Sequence, residues 1–242
     1  MLLLLAAGFY AGVQNALAGG GSFVTFPALM LAGLDARAAN VSSCIALFPS
    51  QVVMAWTGRR LCEGAGGLGF ATLMYLSLAG GAAGAVLLLV TPPQFFARLV
   101  PWLVLFATVV YAWGSFRRRP DTQAARVPAR ALAVVQTAIA VYGGYFGGGI
   151  GFLMLAALAA VGQSPRQAGA TKNALAMAMN ASAVLIFAFS ADVGWREAAV
   201  LAAGAAAGGW CGAHLLHRLP EKWLRAFVVS VGSALTLWLF LR

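Results

Sequence analysis

The stretch "ALAGGGSFVTFPALM", residues 16–30, decides how the whole chain reads. Three consecutive glycines and then a proline interrupt an apolar run that would otherwise continue as one helix. The interruption returns near the middle of the chain as "YGGYFGGGIGFLML", residues 142–155. Glycine permits positive φ and lets another group approach the main chain closely. Paired glycine bends therefore point to two apolar helices broken at matching places.

Composition sets the surroundings of those bends. The chain has 242 residues, of which 62% are hydrophobic and 9% charged. A water-soluble domain of this length needs far more polar surface, and several runs exceed the roughly 18 nearly uncharged residues that cross a bilayer. The fold class is an all-α polytopic membrane protein. Its net charge of +10 does not indicate nucleic acid. The arginines gather between apolar segments, as in cytoplasmic loops, and no basic patch is interleaved with exposed aromatics. Cys44, Cys62 and Cys211 show no CxxC spacing and read as small apolar helix residues. The opening "MLLLLAAGFY" has no basic n-region and no A-x-A site, so it reads as a first membrane segment rather than a signal peptide.

Apolar segments fall at 2–18, 22–34, 38–57, 68–90 and 95–116, then at 131–147, 150–162, 167–190, 196–216 and 223–241. Between the two sets lies the basic, proline-containing linker "RRRPDTQAARVPAR", residues 117–130. The expected organisation is a first transmembrane repeat over 1–116, a cytoplasmic linker over 117–130 and a second repeat over 131–242. Gly19–Gly21 leads to Gly33 and "ARAANVSSC"; Gly147–Gly149 leads to Gly162 and "RQAGATKN". Each half reads as a glycine-broken helix pair followed by three long spans. A short helix of about 13 residues reaches only about 20 Å, less than the roughly 30 Å hydrocarbon core.

Charge bias chooses between topologies. If each broken pair returns to its own side, eleven basic residues lie with the linker inside and four lie outside; if each crosses once, the split is nine to six. The positive-inside rule favours the first. It implies two repeats of inverted topology with both termini outside. Whether the short helices re-enter or cross twice stays open.

Irregular backbone at membrane depth survives only where protein or a wet cavity satisfies its polar groups. Broken helices in inverted repeats commonly build a transporter's central site. Short helices starting at Ser22 and near Ile150 leave first-turn N–H groups unpaired, which suits an anion. Lys172 is the only charge between Arg166 and Asp192, some two turns into an apolar helix. A lysine at such depth costs about 2.5–3.5 kcal/mol and marks a functional candidate. Asn173 and Asn180 share its helix; Asn40, Ser43 and Gln51, with Ser42 beside them, form a polar stripe in the matching helix of the first half. The expected substrate-binding residues are Lys172, Asn173, Asn40, Ser42, Ser43, Gly20, Gly21, Ser22, Gly148 and Gly149. Gln14 and Asn15, like Gln136 and Thr137, precede the bends and either line the path or join helices.

Other chemistries find little support. "GGGSF" lacks the Lys-Ser/Thr that completes a phosphate loop and follows no strand, which excludes nucleotide binding. His214 and His217 have no acidic or cysteine partner nearby in sequence, so they read as interfacial and no metal site is expected. Ser22 with His214 is the one pairing an intramembrane hydrolase would have, without a GxSG-like context, so an enzyme is not expected. No cofactor is expected either.

With the repeat, the bends and "GATKNALA" in hand, the chain resembles the sulfite exporter TauE/SafE family, also called the toluene sulfonate uptake permease family. The resemblance covers nearly the whole chain, through "AGGGSFVTFPALMLAGL" with "AANVSS" and "YGGYFGGGIGFLMLAAL" with "ATKNALA". Members often carry Asn-Ala-Thr-Asn where this chain has Asn40-Val41-Ser42-Ser43. They often carry Asn-Ala-Leu-Lys-Asn where it has Gly169 followed by Lys172 and Asn173. The resemblance implies transport of sulfite, sulfonates or other small organosulfur anions across a bacterial inner membrane, where the charge bias puts both termini on the periplasmic side. The expected partners are that anion and membrane lipid; a homodimer is left open.

The acidic residues Asp35, Glu63, Asp121, Asp192, Glu197 and Glu221 all fall at segment ends or in loops, so no carboxylate is placed to relay protons mid-membrane. An inside-negative potential drives anions outward by about 2.3 kcal/mol per charge per 100 mV. Export by alternating access, one half rocking against the other, is the expected mode. Ion-coupled uptake and a passive anion channel are the alternatives.

Overall fold

The computed structural model describes residues 1–17, 20–116, 128–215 and 221–241. Residues 117–127 of the expected linker lie outside the described residues, as do Gly19, His217 and the side chain of His214. Ten α-helices follow in order: α1 Leu2–Leu17, α2 Ser22–Leu31, α3 Ala36–Gly58, α4 Phe70–Val90, α5 Pro93–Phe116, α6 Ala129–Tyr145, α7 Ile150–Ala160, α8 Pro165–Phe187, α9 Trp195–Leu215 and α10 Glu221–Leu241. Among the described residues three stretches are long and apolar enough to cross a membrane: Ala36–Leu61, Phe70–Val90 and Pro93–Trp113. The protein is a polytopic helical membrane protein.

Local chemistry explains where helices start and stop. The Asp35 carboxylate accepts hydrogen bonds from the amides of Arg37 (2.9 Å) and Ala38 (3.0 Å), capping α3. Ser164 and Gln167 form a capping box at α8, with Pro165 in the first turn. The short helices end earlier than their apolar runs. Gly33 and Gly162 take φ of +103° and +88°, and each turn closes with the amide beyond it bonded back into the helix: Leu34 to the Leu29 carbonyl and Gln163 to that of Leu158. This corrects the expected bounds 22–34 and 150–162.

Both broken pairs are hairpins that return to their starting end. Leu34, just after α2, packs beside Gly194, and Gly8 of α1 faces Leu201 near the start of α9. At the opposite end, Gly66 faces both Leu132 of α6 and Val161 after α7, while Gln163 donates to the carbonyls of Glu63 and Gly64. The first hairpin thus enters the bundle from the end that holds Gly194. The second enters from the end that holds Gly66.

The long helices exchange partners between the halves. Helix α1 lies along α9, and α4 lies along α6; α3 also packs on α9 and α4 on α8, while α3 meets α8 and α5 meets α10. The α1–α9 and α4–α6 contacts are glycine seams. A Cβ on Gly208 would collide with the Phe9 carbonyl oxygen, and one on Gly84 with that of Val141. Membrane helices gain from such seams because close backbones replace the hydrophobic driving force that lipid removes.

The bends meet at the bundle's centre, on one ring. Gly20 (φ +87°) leaves room for Tyr111 of α5, whose ring edge would lie 3.0 Å from any Cβ at that position. Tyr111 also packs edge-on against Phe23 of α2 and Phe152 of α7, with ring centroids 5.8 and 4.0 Å away. Gln14 donates to its hydroxyl at 2.7 Å. On the second bend Gly149 (φ +76°) faces Ala107, one turn earlier on α5. Gly149→Ala forces a Cβ into the left-handed region at a cost of about 1–2 kcal/mol. Its unfolding temperature in detergent should fall by roughly 2–8 °C; melting at the wild-type temperature would show that the bend does not need glycine.

Candidate functional site

The two bends and the crossing of α3 with α8 line a cavity of about 50 Å³. By the same measure one water needs roughly 10–15 Å³. The space holds a few waters or one small oxyanion. Gly20 and Ser22 reach it from the first bend, and Gly147, Ile150 and Gly151 from the second. Helix α3 contributes Asn40, Ser43 and Gln51, and α8 contributes Lys172, Asn173 and Asn180.

Most polar groups in this wall are tied down by the fold. The Asn40 amide donates to the Tyr145 carbonyl at 3.0 Å, satisfying a group freed where α6 ends. Ser43 shares a hydrogen bond with the Thr25 hydroxyl, fixing α3 to α2. Asn180 donates to Gln51 at 2.6 Å, and the Cys44 thiol donates to the same asparagine's oxygen at 3.6 Å. The Asn15 carbonyl oxygen accepts from the Gly21 amide at 2.8 Å.

Two elements of the wall stay uncommitted. The amides of Ile150 and Gly151, at the first turn of α7, donate to no described backbone group. Lys172 is 5% exposed and forms no hydrogen bond or ion pair with any described residue. A buried ammonium without a counterion is costly. Lys172, Ile150 and Gly151 all line the cavity, so cation and amides meet at the same small space.

The expected site residues divide accordingly. Lys172, Asn173, Asn40, Ser43, Gly20 and Ser22 line the cavity. Ser42, Gly21, Gly148 and Gly149 are not among its lining residues. Ser42 instead accepts a hydrogen bond from the Gly194 amide at 2.9 Å, between α3 and the turn before α9. The Gly21 amide is engaged by Asn15. Gly148 borders a separate apolar crevice with Phe26, Val104 and Leu235, and Gly149 packs on Ala107.

Sequence reasoning left Gln51, Asn180, Gly147 and Gly151 out of the site. Gln51 and Asn180 were visible as polar residues on facing stripes, but the bond between them depends on how α3 crosses α8. Asn15 lines the cavity and also holds the Gly21 amide, whereas Gln136 joins helices, donating to Ser77 of α4 at 2.9 Å. Among the described residues no group of His, Cys, Asp and Glu side chains could hold a metal ion.

Comparison with known proteins fits this arrangement. Residues 4–239 match the family described as "Sulfite exporter TauE/SafE". A "Probable membrane transporter protein ORF9" of Sinorhizobium sp is 25% identical over 254 residues, covering 98% of this chain and 91% of that protein. A "Probable membrane transporter protein" of Haemophilus influenzae is 24% identical, covering 98% and 92%. The "Probable membrane transporter protein YfcA" of Escherichia coli strain K12 is 25% identical, covering 93% and 84%. No solved structure matches the chain significantly. With the match running almost from end to end, the chain belongs to the sulfite exporter TauE/SafE family of membrane transporters.

Proposed function

We propose that the protein exports small sulfur oxyanions (sulfite, sulfonates or related organosulfur anions) across the bacterial inner membrane by alternating access. One observation carries the reading: Lys172, buried and without a protein partner among the described residues, lines a small cavity of oxyanion size beside two helix-terminal amides that donate to no described backbone group. An anion bound there neutralises the ammonium and accepts from Ile150 and Gly151, while the Ser22 hydroxyl and the Asn173 amide offer further hydrogen bonds.

Inverted repeats underlie the mechanism in this reading. Gln51 and Asn180, hydrogen-bonded to each other, stand 129 positions apart. The same offset relates Gly20 to Gly149 and Gly33 to Gly162, all left-handed, and the cap Asp35 to the cap Ser164. Hairpins entering from opposite ends suit two repeats related by an axis in the membrane plane. Outward movement follows from the potential, which expels a dianion with about 4.6 kcal/mol per 100 mV.

Sulfite counterflow in proteoliposomes tests the proposal. The purified protein should accelerate exchange that saturates with sulfite and is inhibited by competing sulfonates. Flux that rises linearly without saturation would assign a channel instead, and absence of exchange across sulfite, thiosulfate, taurine and sulfoacetate would remove the anion assignment.

A further inference from the structure

Lys172 raises a question that anion binding alone does not answer. A carrier must also cross empty, and when it does the ammonium has nothing to face. The charges around it supply no substitute. From α3 the cavity receives Ser43, Cys44 and Gln51, none of them ionised at neutral pH. Helices α6 and α7 contribute glycines, Phe146 and Ile150, with the phenols Tyr142 and Tyr145 packed behind. Helix α4 meets α8 through Gly81 and the backbone of Met179. The first bend adds Asn15 and Ser22.

Among the described residues the other charged groups lie outside the cavity lining. Arg59 stacks on Trp56, with its guanidinium carbon 4.1 Å from the ring centroid, and Arg60 and Arg166 are exposed. Glu63, the acid nearest along the packed elements, accepts from Gln167 at 2.9 Å through its carboxylate and donates its backbone amide to Thr171. Asp192 is paired with Arg37 at the other end. No described carboxylate offsets the Lys172 charge.

Burying an ammonium without a counter-ion is costly. A lysine escapes that cost by giving up its proton. Resting on the reading of the site given above, we infer that Lys172 is itself the coupling group: it crosses as the ammonium with the anion and returns as the neutral amine. The N–H bond breaks after the anion leaves. The proton passes to water on the release side, the electron pair stays on Nζ, and a proton from water on the loading side restores the ammonium as the next anion binds. Each turnover therefore moves one anion and one proton together. A dianion carries one net negative charge, which the potential still expels, and a monoanion carries none.

Thiosulfate, whose charge is constant around neutral pH, makes the test clean. In proteoliposomes clamped at zero potential and loaded with a pH-sensitive dye, net thiosulfate efflux should carry protons out with it, one for each anion. Lys172→Arg fixes the charge, since guanidinium stays protonated. It should lower the ratio of net flux to thiosulfate exchange by about tenfold or more, because exchange never requires the empty return. Thiosulfate efflux by the wild-type protein without proton movement overturns the inference while leaving anion transport intact, as does an unchanged ratio in Lys172→Arg. Should the arginine variant lose exchange as well, the wild-type proton measurement decides alone. Absence of thiosulfate and sulfite exchange in the wild-type protein would instead refute the anion site.

Discussion

Lys172→Ala should lower sulfite counterflow by about 10- to 100-fold while leaving the protein at least as stable as before. A hydrogen bond to a charged group contributes about 1.5–3 kcal/mol, and each 1.4 kcal/mol is a factor of about ten. Among the described residues Lys172 is the sole cation lining the cavity, so no described neighbour takes over the oxyanion. Stability moves the other way because the ammonium stands buried without an ion-pair partner among the described residues. Removing an uncompensated charge relieves its desolvation cost, and the vacated space opens onto an existing cavity. Thermal unfolding in detergent should therefore occur at or above the wild-type temperature. Counterflow within threefold of wild type would exclude Lys172 from the site; lost counterflow with a lowered unfolding temperature would mark it as a folding residue.

Gly208→Val should be the most destabilising substitution in the α1–α9 seam. A Cβ at Gly208 would overlap the Phe9 carbonyl oxygen, and Gly204, Gly8 and Gly12 stand equally close to facing backbone. Neither helix can retreat alone, since α9 also packs on α3 and α1 on α2. Overpacking costs about 1–3 kcal/mol where side chains can shift. Here the obstacle is main chain, so the upper end applies, and the unfolding temperature should drop by about 6–12 °C. Gly169→Ala is the contrast: its Cβ meets nothing within 4 Å, and alanine favours a helix over glycine by up to about 1 kcal/mol. Gly208→Val melting with the wild-type protein would mean that the seam opens in solution.

Much of this architecture was legible in the sequence because its determinants are local. Length and hydrophobicity of each run marked the ten helices, and the glycine triplets marked the bends. Asp35 and Ser164 are caps recognisable from residue type. What was not legible depends on encounters between distant segments. The apolar runs gave no sign that Gly33 and Gly162 would stop α2 and α7 early. Ser42 and Ser43 are adjacent, yet Ser43 reaches the cavity while Ser42 turns to Gly194, because successive helical residues point about a quarter-turn apart. Lys172 announced itself because charge within an apolar run is rare. The Gln51–Asn180 bond did not, since two amides on different helices reveal nothing until the helices cross.

The exchanged seams change what counts as a moving part. Rocking of residues 1–116 against 131–242 would have to tear α1 from α9 and α4 from α6, the contacts in which main chain touches main chain. The natural blocks are instead mixed: α1, α2, α3 and α9 in one, and α4, α6, α7 and α8 in the other, with α5 and α10 alongside. The two blocks meet chiefly at the α3–α8 crossing, a surface built of amides and short polar side chains, with the Asn40–Tyr145 bond and the Phe26–Phe146 contact beside it.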